Sequence, residues 1–321
     1  MNRRLVFSLL AALVLAVPLS LLAGRVWIDP FTPGTGNAAV ILMQLRLPRA
    51  VLALVLGAGL GAAGAAMQGF LRNPLADPGL FGIAPGAALG AVLSFWTGYA
   101  ASVWLLPLFS LIGAGGAMAL LALIAGREGG VALFTLAGLM ISSLAGALMS
   151  LAISLSPTPF AMSEIVTWLM GALADRSWRD VWIAAPFTLA GIGVLAAAGR
   201  GLDALTLGEA AARSLGVDPA RLQALMIAGI GLTVGAGVAV AGIIGFVGLM
   251  VPHLVRPLTD RRPSSLILPS ALAGALLLLV ADCLCRVLPL AGGELRLGIA
   301  LSLLGAPFFL HLLLRMRRGL A

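Results

Sequence analysis

Apolar residues in this chain run in stretches of about 15–25 positions, without the every-second-residue alternation of a half-buried strand. Ten such runs, at residues 5–24, 50–70, 81–97, 103–125, 131–155, 181–199, 222–240, 243–258, 265–286 and 297–314, are separated by short breaks rich in Gly, Pro and Arg. Helices are expected, because hydrocarbon tolerates no unpaired backbone group and barrel strands would read as ~10-residue alternating segments. The predicted fold is therefore all-α: one polytopic membrane domain over residues 1–321, of about ten transmembrane helices. The eighth run is short and Gly-rich and carries Pro252, so a broken or partly inserted helix is expected there. The first run follows Arg3 and Arg4 like a signal peptide. It is long for an h-region, and Gly24-Arg25-Val26-Trp27 is not a small-residue cleavage site, so it reads as an uncleaved first span.

Three segments lie between the runs. Residues 25–49 read as a loop with turn signals at Asp29-Pro30, Pro33-Gly34 and Gly36-Asn37. Within 157–180, Ser163 to Ala174 predicts a short helix with Ser163 as its N-cap. Residues 200–221 read as two short helices split at Gly216, the second opening after Asp218 with Pro219 in its first turn. An amphipathic loop on an otherwise lipid-embedded protein points to a docking surface.

Composition sharpens this picture. The chain is 61% hydrophobic and 10% charged, against roughly 25% charged for a soluble domain. Its formal net charge of +8 comes from arginine alone; there is no lysine. A P-loop is thereby excluded, since that motif places a Lys at the phosphates, so any ATP-driven work belongs to another chain. Nucleic-acid binding is a poor reading of arginines that flank apolar helices. With the N-terminus inside, thirteen arginines fall on the inner side and seven on the outer, which predicts an N-in/C-in topology. The outer seven, among them Arg46, Arg49, Arg176, Arg286 and Arg296, run against that bias and call for a reason.

Candidate chemistry is sparse. Cys283 and Cys285 are two residues apart, hence on different sides of a helix, and read as small buried hydrophobes. His253 has no ligand-spaced partner and reads as a structural hydrogen-bonder; no metal site is expected. Asp282 lies four residues before Arg286, so an ion pair on one helix face is expected. No nucleophile–base pair appears, so the chain is not expected to be an enzyme or to hold a cofactor itself. Small residues recur every fourth position at Gly57, Gly61, Ala65 and Gly69, at Gly138, Ser142, Gly146 and Ser150, and at Gly298, Ser302 and Ala306. Such faces permit close helix packing, or line a path; Gly138, Ser142, Gly146, Gly298 and Ser302 are the candidate path residues.

Six ordered motifs carry a resemblance. They are Arg46-Leu47-Pro48-Arg49, the stretch from Met67 and Gln68 through Arg72-Asn73-Pro74-Leu75-Ala76-Asp77-Pro78-Gly79, Trp168-Leu169-Met170-Gly171, Gly208-Glu209 through Arg213 to Gly216, Gly242 through Gly245-Phe246 and Pro252-His253 to Arg256, and Gly305-Ala306-Pro307-Phe308-Phe309. In order and spacing, over about residues 26–315, the chain resembles the permease family of ABC importers for iron-siderophore, haem and cobalamin.

That resemblance implies a homodimer or pseudo-dimer of ten-helix subunits in the inner membrane, two cytoplasmic ATPase subunits that bind ATP and Mg, and a periplasmic substrate-binding protein. It implies that Gly208, Glu209, Ala212, Arg213, Leu215 and Gly216 form the element that couples to the ATPase. It also implies that Arg46, Arg49 and Arg286 face acidic residues of the binding protein. Where the family often has Glu-Leu-Pro, this chain has Glu294-Leu295-Arg296, which adds an outer positive charge. Ferric siderophore is the expected cargo on family frequency, with cobalamin or haem as alternatives. An ion-coupled secondary transporter would need ionisable residues near the membrane midplane, and apart from Asp282 the charges cluster at span ends. A respiratory or assembly subunit would need better-placed His or Cys ligands.

Overall fold

The structure, a computed structural model, describes residues 2–24, 37–126, 130–288 and 293–320. Every regular element among them is helical. Eight helices are long and apolar enough to cross a bilayer: α1 (Arg3–Leu22), α2 (Ala38–Phe70), α4 (Leu105–Ala125), α5 (Val131–Ser154), α7 (Trp178–Leu205), α9 (Pro219–Ala241), α11 (Pro263–Val287) and α12, which is apolar over Leu297–Arg315 and continues to Leu320. Two shorter apolar helices are α3 (Ile83–Trp96) and α10 (Val247–Leu258). Two helices lie in connections: α6 (Pro159–Leu169) and α8 (Glu209–Ser214).

Helix α2 sits at the centre, packed on α7, α10 and α11. Its small-residue stripe is where backbones meet. A Cβ at Gly57 would overlap the Gly274 carbonyl of α11, one at Gly61 the Ser270 carbonyl, and one at Gly64 the Gly248 carbonyl of α10. Contact this close requires glycine and gains dispersion energy that apolar lipid cannot match. Exposed leucines face outward instead, such as Leu136 on α5 and Leu303 on α12.

Several boundaries depart from the expected ones. The loop expected at 25–49 is helical from Ala38 onward; its turn signals at Asp29 to Gly36 lie outside the described residues. Pro48, between Arg46 and Arg49, falls in the loop expected before the second span at 50–70. Instead α2 passes through it by widening to a π-helix over Ile41–Arg46. A proline lacks the N–H and crowds the carbonyl four residues back, and a π-bulge relieves that crowding. The indole of Trp178 donates to the Met43 carbonyl inside this widened turn at 2.9 Å.

The connecting helix expected to begin at Ser163 begins at Pro159. Thr158 is the N-cap, its side chain accepting from the Ala161 N–H at 3.1 Å, with Pro159 in the first turn. Helix α7 opens earlier than expected through a capping box between Ser177 and Asp180, and runs on to Leu205. The connection expected at 200–221 is thus shorter and holds one short helix, α8. The second expected helix does open at Pro219 after an Asp218 cap, but it is the first turn of α9. Helix α10 begins only at Val247, after a non-helical stretch that Gly242 enters with φ 73°. The eighth run is thus helical only from Val247, and Pro252 lies inside that helix without breaking it.

Candidate functional site

The alternating helices gather charge at two ends. The end carrying Arg72, Arg213 and Arg261 is called the basic end here; Arg49, Asp282 and Arg296 lie at the opposite end.

At the opposite end, Asp282 on α11 is fully buried and holds two arginines. Arg49 grips it from α2, Nε donating to Oδ1 at 3.0 Å and Nη2 to the same oxygen at 2.9 Å. Arg286, one turn along α11, lies with Nε 3.1 Å from Asp282 Oδ2. Arg49 Nη2 also pairs with Glu294 at 2.8 Å. The (i, i+4) pair read from the sequence is present, and Arg49 is a partner that the sequence does not reveal. Arg46, 6% exposed, donates Nη1 to the Leu21 carbonyl at 2.6 Å, at the end of α1. Arg286 Nη1 donates to the Ala23 carbonyl at 3.2 Å. The last carbonyls of a helix have no partner of their own, so two guanidiniums here close α1. All three arginines singled out in the sequence are therefore brought together, with their side chains turned inward.

Beside this cluster, Glu164, Thr167 and Trp168 of α6 line a cavity of about 300 Å³ with Arg176 and Arg296. Burial lowers the Arg176 guanidinium below its ordinary value; Asp180 and Asp175 oppose this, and Arg179 and Arg296 add to it.

At the basic end, α8 is a rigid projection. Gly208 precedes it with φ 101° and Gly216 follows with φ 83°, conformations that suit glycine. It closes in a Schellman motif: the Gly216 N–H reaches the Arg213 carbonyl at 2.9 Å and the Val217 N–H the Ala212 carbonyl at 3.0 Å. Ala212 is buried at 2% exposure, whereas Leu207 and Leu215 are 68% and 63% exposed. Glu209 accepts from the Val131 N–H at 3.4 Å, placing a carboxylate at the start of α5. One face of α8 is thus anchored, and a pair of leucines flanked by charge faces away from the bundle.

Two sequence motifs far apart in the chain meet near the basic end. Gln68 of α2 donates Nε2 to the Gly248 and Leu249 carbonyls of α10 at 3.3 Å, and its Oε1 accepts from Arg256 Nη2 at 2.6 Å. Pro78 packs on Gly248. Asp77 Oδ1 caps the following turn by accepting from the Gly79 N–H at 2.8 Å; burial raises this carboxyl above its ordinary value, against that bond. His253 departs from its expected role: its ring stacks edge-on against Phe308, and Nδ1 has no hydrogen-bond partner among the described residues.

The candidate path residues divide. Gly138 is closed off by Phe81, and Gly298 by the Met170 and Ile243 carbonyls. Gly146 has open space beside it, Ser142 is half-buried, and Ser302 is exposed with its hydroxyl on the Gly298 carbonyl at 2.8 Å.

Known proteins match this chain over almost its whole length. The "Vitamin B12 import system permease protein BtuC" of Escherichia coli O9:H4 (strain HS) is 39% identical over 99% of this chain and 97% of its own. The protein of the same name from Shigella flexneri is 38% identical over the same shares. A solved structure described as an inward-facing metal-chelate type ABC transporter superposes with a TM-score of 0.89 at 33% identity, covering 98% of this chain and all of that one. The model of the FecCD transport family matches residues 5–315. With the fold, the motif order and the full-length relatives in agreement, this chain belongs to the FecCD transport family, as a permease subunit of an ABC importer.

Proposed function

We propose that this permease carries cobalamin, or a closely related corrinoid, from periplasm to cytoplasm. The observation that carries the substrate is the full-length likeness, at 39% and 38% identity, to relatives named for vitamin B12 import. It outweighs the family-frequency argument for a ferric siderophore. The chain is a multi-pass inner-membrane protein, and ATP hydrolysis belongs to a separate subunit.

The membrane would be crossed ten times, the short apolar helices α3 and α10 joining the eight long ones, with both termini and the basic end on the cytoplasmic side. Two copies of the chain would form the transporter, meeting on outward apolar faces such as those of α5 and α12. Of the candidate path residues, Ser142, Gly146 and Ser302 would follow the path between them, Gly138 and Gly298 being packed against neighbouring backbone and Phe81. Two ATPase subunits would receive α8 through Leu207 and Leu215, with Gly208, Glu209, Ala212, Arg213 and Gly216 holding it rigid. A periplasmic binding protein would dock at Arg46, Arg49 and Arg286. Since Asp282 holds Arg49 and Arg286 inward, docking would exchange carboxylates. Glu294, about a third exposed, is the cheaper one for an incoming acid to displace from Arg49.

Uptake of labelled cobalamin into proteoliposomes holding the complete transporter tests the substrate. Excess unlabelled cobalamin is expected to suppress uptake, and a ferric siderophore or haem is expected to leave it unchanged. Transport of the siderophore without transport of cobalamin would refute the assignment.

A further inference from the structure

At the basic end, Arg72, Arg256 and Arg261 converge with Gln68 and Thr206 on one cavity of about 180 Å³. No carboxylate among the described residues lines it. The nearby acids are occupied: Asp203 accepts from the Ser264 N–H at 2.9 Å and its hydroxyl at 2.6 Å, and Asp260 accepts from Ser265 at 3.1 Å. Arg256 is held by its 2.6 Å bond to Gln68, which two α10 carbonyls fix in turn. Its Nε is buried without a hydrogen-bond partner among the described residues. Arg72 and Arg261 both have left-handed backbone, φ 50° and 61°, two of the four such non-glycine residues described. At Arg72 this conformation ends α2, the Asn73 N–H reaching the Gln68 carbonyl at 3.1 Å and the Arg72 N–H the Gly69 carbonyl at 3.3 Å, and at Arg261 it turns the chain just before α11; both turns set the guanidinium-bearing residues beside the cavity. Three like charges around a small volume, with a buried donor unmet, describe a site built for an anion.

We propose that this cavity binds a phosphate group, supplied by the headgroup of an anionic phospholipid in the adjacent leaflet. Guanidinium forks match phosphate oxygens in pairs, which lysine cannot do and which suits a chain whose cations are all arginine. The cavity lies where α2 and α10 end and α11 begins, the level at which a bilayer carries its headgroups. Basic pockets between transmembrane helices on the positive side take such headgroups elsewhere. The site is independent of which chelate the transporter carries.

Thermal protection of the full-length protein in a neutral detergent tests this. The probes are dihexanoyl phosphatidylglycerol, dihexanoyl phosphatidylcholine and inorganic phosphate. The phosphatidylglycerol is expected to protect saturably and the phosphatidylcholine not to. Arg72→Gln with Arg261→Gln, both exposed, is expected to raise the half-saturating concentration at least tenfold. Arg213→Gln with Arg221→Gln removes the same charge at the same end from two exposed residues that do not line the cavity and is expected to leave it unchanged. If the first pair does not purify, Arg72→Gly removes one guanidinium where φ 50° suits glycine, with the same direction expected. Equal weakening in both double variants, or no protection at all, would overturn the site. Protection by inorganic phosphate as strong as by the lipid would overturn the lipid as its source.

Discussion

Asp282→Asn is expected to destabilise the protein by about 3–5 kcal/mol, since it leaves Arg286 buried without its countercharge and Arg49 with Glu294 alone. The loss is expected as a drop of several degrees in the detergent melting midpoint and a shortened half-life at fixed temperature. The size follows from burial. Asp282 has no exposed surface and Arg286 only 3%, so water cannot rescue Arg286. Replacing the whole network, Asp282→Leu with Arg49→Met, Arg286→Met and Glu294→Gln, is expected to cost far less, because none of its charges is left without a partner. A single Asp282→Asn variant as stable as the parent would show that the cluster is solvated and that its inward pairing is not what holds α2 to α11.

Leu207→Asp with Leu215→Asp is expected to cut uptake at least tenfold while leaving the melting midpoint unchanged. Both leucines are more than 60% exposed, so the bundle does not depend on them. Burying each against an ATPase groove is worth about 1.5–3 kcal/mol, and every 1.4 kcal/mol is a factor of ten in affinity. ATP hydrolysis by the assembled transporter is expected to lose its stimulation by substrate in the same variant. Full uptake would exclude α8 as the coupling element.

Much of the architecture is legible from local pattern. Long apolar runs and arginine-bearing breaks mark most helices, and the Schellman glycine at 216 and the Asp218-Pro219 start mark two of the connections. Boundaries slip where a strong local signal is outvoted by packing. Arg46 and Arg49 look like an interface, yet their guanidiniums are satisfied by α1 carbonyls and Asp282, and α2 continues through them and Pro48. Arg200 and Asp203 likewise read as a loop, although α7 carries both, and Asp203 is used by Ser264 at the start of α11. Pairings between helices are the least legible. Nothing in the sequence fixes the register that sets Arg49 against Asp282, 233 positions away, or Gln68 against Arg256. The motifs announce that those residues matter; only the fold shows that they meet. The signals missed outright, Thr158-Pro159 and the Ser177–Asp180 capping box, were readable, and a search for caps ahead of apolar periodicity would have found them.

Proteoliposomes containing the chain, with and without its ATPase subunit and binding protein, put the central claim to trial. Labelled cobalamin is expected to accumulate only when the ATPase and ATP are both present, and to stop on addition of vanadate. Accumulation driven by an ion gradient with no ATPase supplied would contradict the account.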